Sequence, residues 1–164
     1  MSHPARYVVA LLLCLFVMLG GCSDDSTDPV PTLLATAVIG DEPFRCHLDW
    51  SFEAVREHRF TQIREICEQY DIDGFELDFM RYPIYFEPER TDASQRRRIM
   101  TDFVAQLREL LDRTAARGQR RWLCIRVPSE LAAHDILGID LREMVAAGVD
   151  MINLSCYYFT QQQN

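Results

Sequence analysis

Tyr70-Asp71-Ile72-Asp73-Gly74-Phe75-Glu76-Leu77-Asp78-Phe79-Met80-Arg81-Tyr82-Pro83 decides the fold. It reads as a helix end, a strand over residues 72–79, and a polar loop leaving that strand. Successive side chains on a strand point to opposite faces. Phe75, Leu77 and Phe79 therefore share one face, and Gly74, Glu76 and Asp78 the other. The flanking sequence has helical spacing, and strands alternating with helices imply a parallel sheet covered by helices. On that model the apolar set lies under helices. Glu76 and Asp78 turn into a barrel or crevice, with Asp78 at the carboxyl end where parallel α/β folds place their sites.

Two more segments repeat the pattern. Residues 121–127 form a strand with Leu123, Ile125 and Val127 on one face and Trp122, Cys124 and Arg126 on the other. Residues 149–155 form a third, with Met151, Asn153, Ser155 and then Tyr157 opposite Ile152, Leu154 and Cys156. Each aliphatic face is expected under helices. Arg126 is expected to pair with Asp78 or Glu76, a planar fork meeting a carboxylate.

Between the strands, a helix to about Tyr70 is capped by Ser51 or Asp49 and buries Phe52, Val55, Ile63, Ile66, Cys67 and Tyr70. A second helix, residues 93–117, is capped by Asp92 or Thr91 and stopped by Gly118. Its buried stripe is Ile99, Met100, Phe103, Val104, Leu107, Leu110 and Leu111, and Arg96, Arg97 and Arg98 are expected to form a solvated face and not an anion site. Residues 129–138 read as a loop, and Asp140 caps a short helix over residues 141–147. The loop over residues 82–92 is rich in aromatics. Tyr85 and Phe86 either stack on a sugar or pin the loop to the domain.

The amino-terminal residues read as an export signal. Arg6 gives the positive end, and residues 7–19 are an uncharged apolar run too short to span a bilayer. Leu19-Gly20-Gly21-Cys22 is similar to a bacterial lipobox, which makes Cys22 the lipidated first residue of the mature chain; the other reading is an ordinary cleaved signal. Residues 1–21 are thus a lipoprotein signal peptide and residues 22–31 a polar tether. The expected location is the cell envelope, with the membrane reached through the lipid on Cys22. A net charge of -8 argues against a nucleic acid partner and against a polybasic membrane patch. His3, His47, His58 and His134 are scattered, no CxxC is present, and no metal or other cofactor is implied. Cys124 and Cys156 sit at opposite parity on neighbouring strands and are not expected to pair.

The segment from Tyr70 to Pro83 resembles the corresponding segment of bacterial glycosyl-hydrolase-like TIM-barrel proteins, the family 10-like group. The resemblance runs from about Leu48 to Tyr158 and includes Arg126-Val127-Pro128-Ser129 and Asn153-Leu154-Ser155. It implies a partial (β/α) TIM barrel over residues 32–160, since a closed barrel needs about 250 residues and this chain has room for three to four strand–helix units. The implied activity is hydrolysis of an O-glycosyl bond in a polysaccharide or oligosaccharide, or no activity if the barrel is truncated. The alternatives are a non-catalytic glycan-binding surface lipoprotein and a gene remnant.

Glycoside hydrolysis requires two carboxyl groups. Asp78 is the first candidate, at the strand end. Glu76 lies about 7 Å deeper along the strand and is expected to orient Asp78 or Arg126. Glu130, just beyond the second strand, is the candidate second carboxylate. Arg81, Tyr82, Tyr85, Arg126, Asn153, Ser155 and Tyr157 are the candidate carbohydrate-binding residues.

Overall fold

The computed structural model describes residues 34–39, 42–80 and 85–156. The described residues form a mixed α/β fold with a small parallel sheet. In chain order the elements are β1 (Leu34–Ile39), β2 (Glu42–Leu48), α1 (Glu53–Gln69), β3 (Gly74–Asp78), α2 (Ala93–Thr114), β4 (Trp122–Pro128), α3 (Leu131–Leu137), α4 (Leu141–Ala146) and β5 (Met151–Ser155). β1 and β2 make an antiparallel pair, and β3, β4 and β5 make a three-stranded sheet in sequence order. Both pairings in that sheet are parallel, as the alternation of strands and helices predicts. β1 falls where the β-branched run Thr36-Ala37-Val38-Ile39 stands.

The parity of β3 and β4 is as expected. Phe75, Leu77, Leu123, Ile125 and Val127 are buried under the helices. Phe79, just beyond β3, joins them in one core with Trp50, Met100, Phe103, Val104, Leu107, Leu110 and Leu111. Trp50 meets Phe103 edge-on at 4.9 Å between centroids, an arrangement the ring quadrupoles favour. Gly74 lies opposite Trp122 in the register. A Cβ there would stand 2.6 Å from the Trp122 carbonyl oxygen, so the two strands close only over a glycine.

Five expectations are corrected. Neither Asp49 nor Ser51 caps α1: Phe52 holds the N-cap position, and the Asp49 carboxylate instead accepts from the Ser51 N–H at 2.9 Å. Tyr70 is exposed rather than part of the buried face, and Arg59 takes a buried place on α1. α2 starts at the expected Asp92 cap, with Gln95 closing a reciprocal capping box, but it ends at Thr114. Gly118, at φ +81°, therefore shapes a later turn closed by Gln119 N–H and the Ala116 carbonyl. Residues 129–138 are not a loop: they hold α3, begun by Glu130 and ended by Gly138 at φ +73°. A Cβ on Gly138 would meet the Arg96 backbone oxygen at 2.5 Å, so this helix end also sets how closely α3 approaches α2. Finally, the aliphatic face of β5 is bare, with Ile152 39% and Leu154 61% exposed.

One ion-pair cluster ties the start of β5 to the rest. The Asp150 carboxylate accepts from the Leu123 N–H at 2.8 Å, from Arg120 at 2.8 Å and from Arg108 at 3.1 Å. Burial alone would raise its pKa; the Leu123 N–H and the Arg120 and Arg108 guanidinium groups outweigh it and hold the carboxyl below the usual carboxylate value.

Candidate functional site

The parallel register places Asp78 beside Arg126, and Arg126 beside Asn153. One row of polar groups thus crosses all three strands at one level, on the face opposite the helices. One step toward the carboxyl end, Pro128 lies beside Ser155. One inward step deeper, Glu76 pairs in register with Cys124, and Cys124 with Met151. The alternation of side chains on each strand produces the row, and the equal phase of the three strands aligns it.

Asp78 is buried to 1% exposure, and both of its carboxylate oxygens are engaged. Oδ1 accepts from Arg126 Nε at 3.0 Å and from the Met80 N–H at 2.8 Å. Oδ2 accepts from Arg126 Nη2. This is the fork-on-carboxylate pairing expected from sequence, and it selects Asp78 rather than Glu76 as the partner. The Arg126 side chain remains 29% exposed, so the pair is reached from outside through the guanidinium. Asn153 is exposed, and its amide makes no hydrogen bond among the described residues.

Glu76 is half-buried and accepts from the Cys124 thiol at 3.3 Å. Burial, helped by the hydrogen bond and charge of Glu76, pushes that thiol up to about 12. Burial likewise pushes Cys67 up to about 11. Neither sulfur is a nucleophile at neutral pH, since the thiolate is the reactive form. Cys67 and Cys124 are free thiols.

The other candidates divide. Tyr85 is buried. Its hydroxyl donates to the Asp78 carbonyl at 3.4 Å, its backbone oxygen accepts from the Trp50 N–H at 2.7 Å, and its ring meets Phe79 edge-on at 5.9 Å. The pinning role therefore holds for Tyr85, and no ring face is open for stacking on a sugar; Phe86 is buried too. Glu130 is an exposed N-cap whose carboxylate accepts from the Ala132 N–H at 3.3 Å, and its position at the head of α3 explains its acidity without chemistry. Ser155 is half-buried, and its carbonyl accepts from the Ser129 N–H at 3.0 Å. Arg81, Tyr82, Tyr157 and Cys22 lie outside the described residues. His134 is buried on α3 with Nε2 2.8 Å from the Pro128 carbonyl oxygen, a structural bond that fixes the proton on Nε2. Among the described residues, no three His, Cys, Asp or Glu side chains converge as a metal site requires.

Asp49 is the residue that the strand-by-strand reading undervalued. It stands just after β2 as Asp78 stands at the end of β3, it is fully buried, and its Oδ1 accepts from the N–H two residues on, as that of Asp78 does. Its Oδ2 lies 3.0 Å from Arg90 Nε. The repeated Leu-Asp at residues 48–49 and 77–78 was the available signal. The contact to Arg90 is ionic and off-axis, because Oδ2 receives no aligned hydrogen bond. Compared with known proteins, the chain matches no family model and no curated protein.

Proposed function

We propose that this chain is a glycoside-hydrolase-like lipoprotein, a partial (β/α) barrel that engages a polysaccharide or oligosaccharide on the polar face of its parallel sheet. The observation that supports this reading is the Asp78–Arg126–Asn153 row at one register level. The interior faces of parallel barrels are ordinarily filled with branched apolar residues. The desolvation cost of the buried Asp78 carboxylate is offset by Arg126 and the Met80 N–H, and the exposed Asn153 amide is the polar group of the row that faces solvent. That amide supplies a donor and an acceptor for the hydroxyls of a glycan. Asp78 is the carboxylate placed for chemistry, and Arg126 sets its orientation.

The test is turnover and binding by the full-length chain, purified in detergent, on aryl glycosides and a polysaccharide panel. Asp78→Asn is expected to lower turnover by about 100-fold or more, the scale of losing an acid–base group. Turnover that survives the substitution in a folded variant removes Asp78 from the mechanism. Absence of cooperative melting in the parent chain overturns the reading as a whole.

A second reading, glycan binding without cleavage, is favoured by the engagement of both Asp78 oxygens and by the capping role of Glu130. Saturable binding with no released sugar selects it. In either reading the chain is exported and anchored through a lipid on Cys22. The expected mature mass starts at a diacylated Cys22, and Cys22→Ser abolishes the modification; a mature chain with an unmodified amino terminus refutes the anchor.

A further inference from the structure

We propose that the groove between the starts of α1 and α2 is an anion subsite for a carboxylate-bearing sugar, with Arg90 and Arg98 as its cationic wall. The inference rests on the glycan reading above and names the class of sugar.

The groove has a volume of about 330 Å³, and Ser51, Phe52, Arg90, Gln95 and Arg98 are among its lining residues. Arg90 is held from two sides. Its Nε lies 3.0 Å from the fully buried Asp49 carboxylate, and its guanidinium carbon sits 4.6 Å from the centre of the Phe52 ring. These two contacts hold the guanidinium at the groove and leave its two terminal nitrogens without a hydrogen bond among the described residues. A planar guanidinium fixed in this way presents paired donors that match a carboxylate.

The three consecutive arginines of α2 have separate fates. Arg96 bonds back to Thr91 and to the Pro88 carbonyl, and Arg97 pairs with Asp135 on α3. Arg98 is exposed on the groove and makes no hydrogen bond or ion pair among the described residues. Asp92, the N-cap of α2, accepts from the Gln95 N–H at 2.8 Å, and that bond, with a smaller contribution from the Arg98 charge, holds its carboxyl below the usual value, while Asp102 stands one turn beyond Arg98 on α2. The Ser51 hydroxyl, on a residue that lines the groove, is buried and has no hydrogen-bond partner among the described residues. In a chain of net charge -8, two arginines lining one groove, one of them uncommitted, are a local feature that an anion complements.

The groove also belongs to the same end of the fold as Asp78. Residues 85–91 carry Arg90 from the end of β3, where the Tyr85 hydroxyl donates to the Asp78 carbonyl, to the start of α1, where the Tyr85 carbonyl accepts from Trp50 N–H. The groove and the row thus lie at the same end of the fold, joined through the bonds of Tyr85.

Calorimetric titration of the full-length chain in detergent with trigalacturonate, the neutral galactotriose and inorganic phosphate tests this. Trigalacturonate is expected to bind at least about tenfold tighter than galactotriose, the scale of one charge-assisted contact. Arg98→Glu, on an exposed helix face that leaves the fold intact, is expected to erase that preference, and Arg98→Lys to keep part of it. Equal binding of the two sugars, or a preference indifferent to Arg98→Glu, overturns the subsite and leaves the glycan reading standing. Binding of neither sugar overturns both, and phosphate binding alone marks an adventitious ion site. Arg90→Gln, which leaves Asp49 without its partner, is read beside a melting curve, so that loss of fold is separated from loss of binding.

Discussion

At the residue scale, the Asp78–Arg126 pair is both the best-placed polar feature and the most confined. A carboxylate at 1% exposure is tolerable only with its partners in place. Removing one partner leaves an uncompensated buried charge, whereas replacing both with apolar groups of similar volume need not. Arg126→Met is therefore expected to destabilise the fold by about 3 kcal/mol. The double variant Asp78→Leu/Arg126→Met is expected to recover most of that loss. Denaturant melts of the two single variants and the double variant give the coupling directly. Additive effects would mean that the pair is not coupled, and Arg126 would then have no claim to positioning Asp78. Recovery of stability together with complete loss of glycan binding would place the pair's purpose in the ligand, since stability alone does not require it. The same logic explains Cys124: its thiol, raised to about 12 by burial and by Glu76, donates to the Glu76 carboxylate and so lowers the cost of an acidic group on that face.

At the element scale, what was legible in the sequence is what simple periods encode. Alternation over residues 74–78 and 122–127 placed the apolar faces of β3 and β4 correctly, because both strands are covered by helices and their parity is enforced by the core. The stripe from Met100 to Leu111 and a cap at Thr91 or Asp92 were equally plain, since helix phase and cap chemistry are local, and the structure selects Asp92. The failures lie where tertiary contact overrides a local cue. Gly118 has the look of a helix stop, yet α2 ends four residues earlier, and the glycine is used for a left-handed turn. The segment 129–138 lacks a long apolar stripe, so its single short helix was invisible; its stability comes from the Glu130 cap and from the contact of Gly138 with the Arg96 backbone. Tyr85 could not be assigned from composition, because an aromatic loop residue is equally suited to a ligand and to a core. Only its hydrogen bonds to Trp50 and Asp78 and its place against Phe79 decide the question. Of the site, the row on β3 and β4 was legible from parity; the role of Asp49 with Arg90 was not, because the two residues are separated by α1 and β3 and meet only through the loop that Tyr85 anchors.

At the scale of the whole molecule, the sheet is covered on one face by helices and left open along β5. Trp122, Met151, Ile152 and Leu154 are all exposed by 39–61%, and among the described residues β5 has a paired strand on one side only. A short parallel edge with apolar side chains on both faces offers unpaired backbone groups and dry surface together, which is the usual basis of edge-to-edge association. The described residues are therefore expected to self-associate through β5 at micromolar concentration. Ile152→Thr with Leu154→Lys removes apolar surface from the outer face, and the lysine adds a charge whose repulsion in a second copy opposes pairing. Each large aliphatic group withdrawn from an interface removes about 1.5–3 kcal/mol of burial, so the double variant is expected to weaken association by at least about tenfold. Sedimentation velocity over a range of concentrations measures it. The core is untouched by these substitutions, since both positions lie on the bare side of an edge strand, so the melting temperature is expected to stay near that of the parent. An unchanged association constant in a folded double variant would show that β5 is not the sticking edge, and would move attention to the opposite edge of the sheet, where β3 is likewise paired on one side only among the described residues.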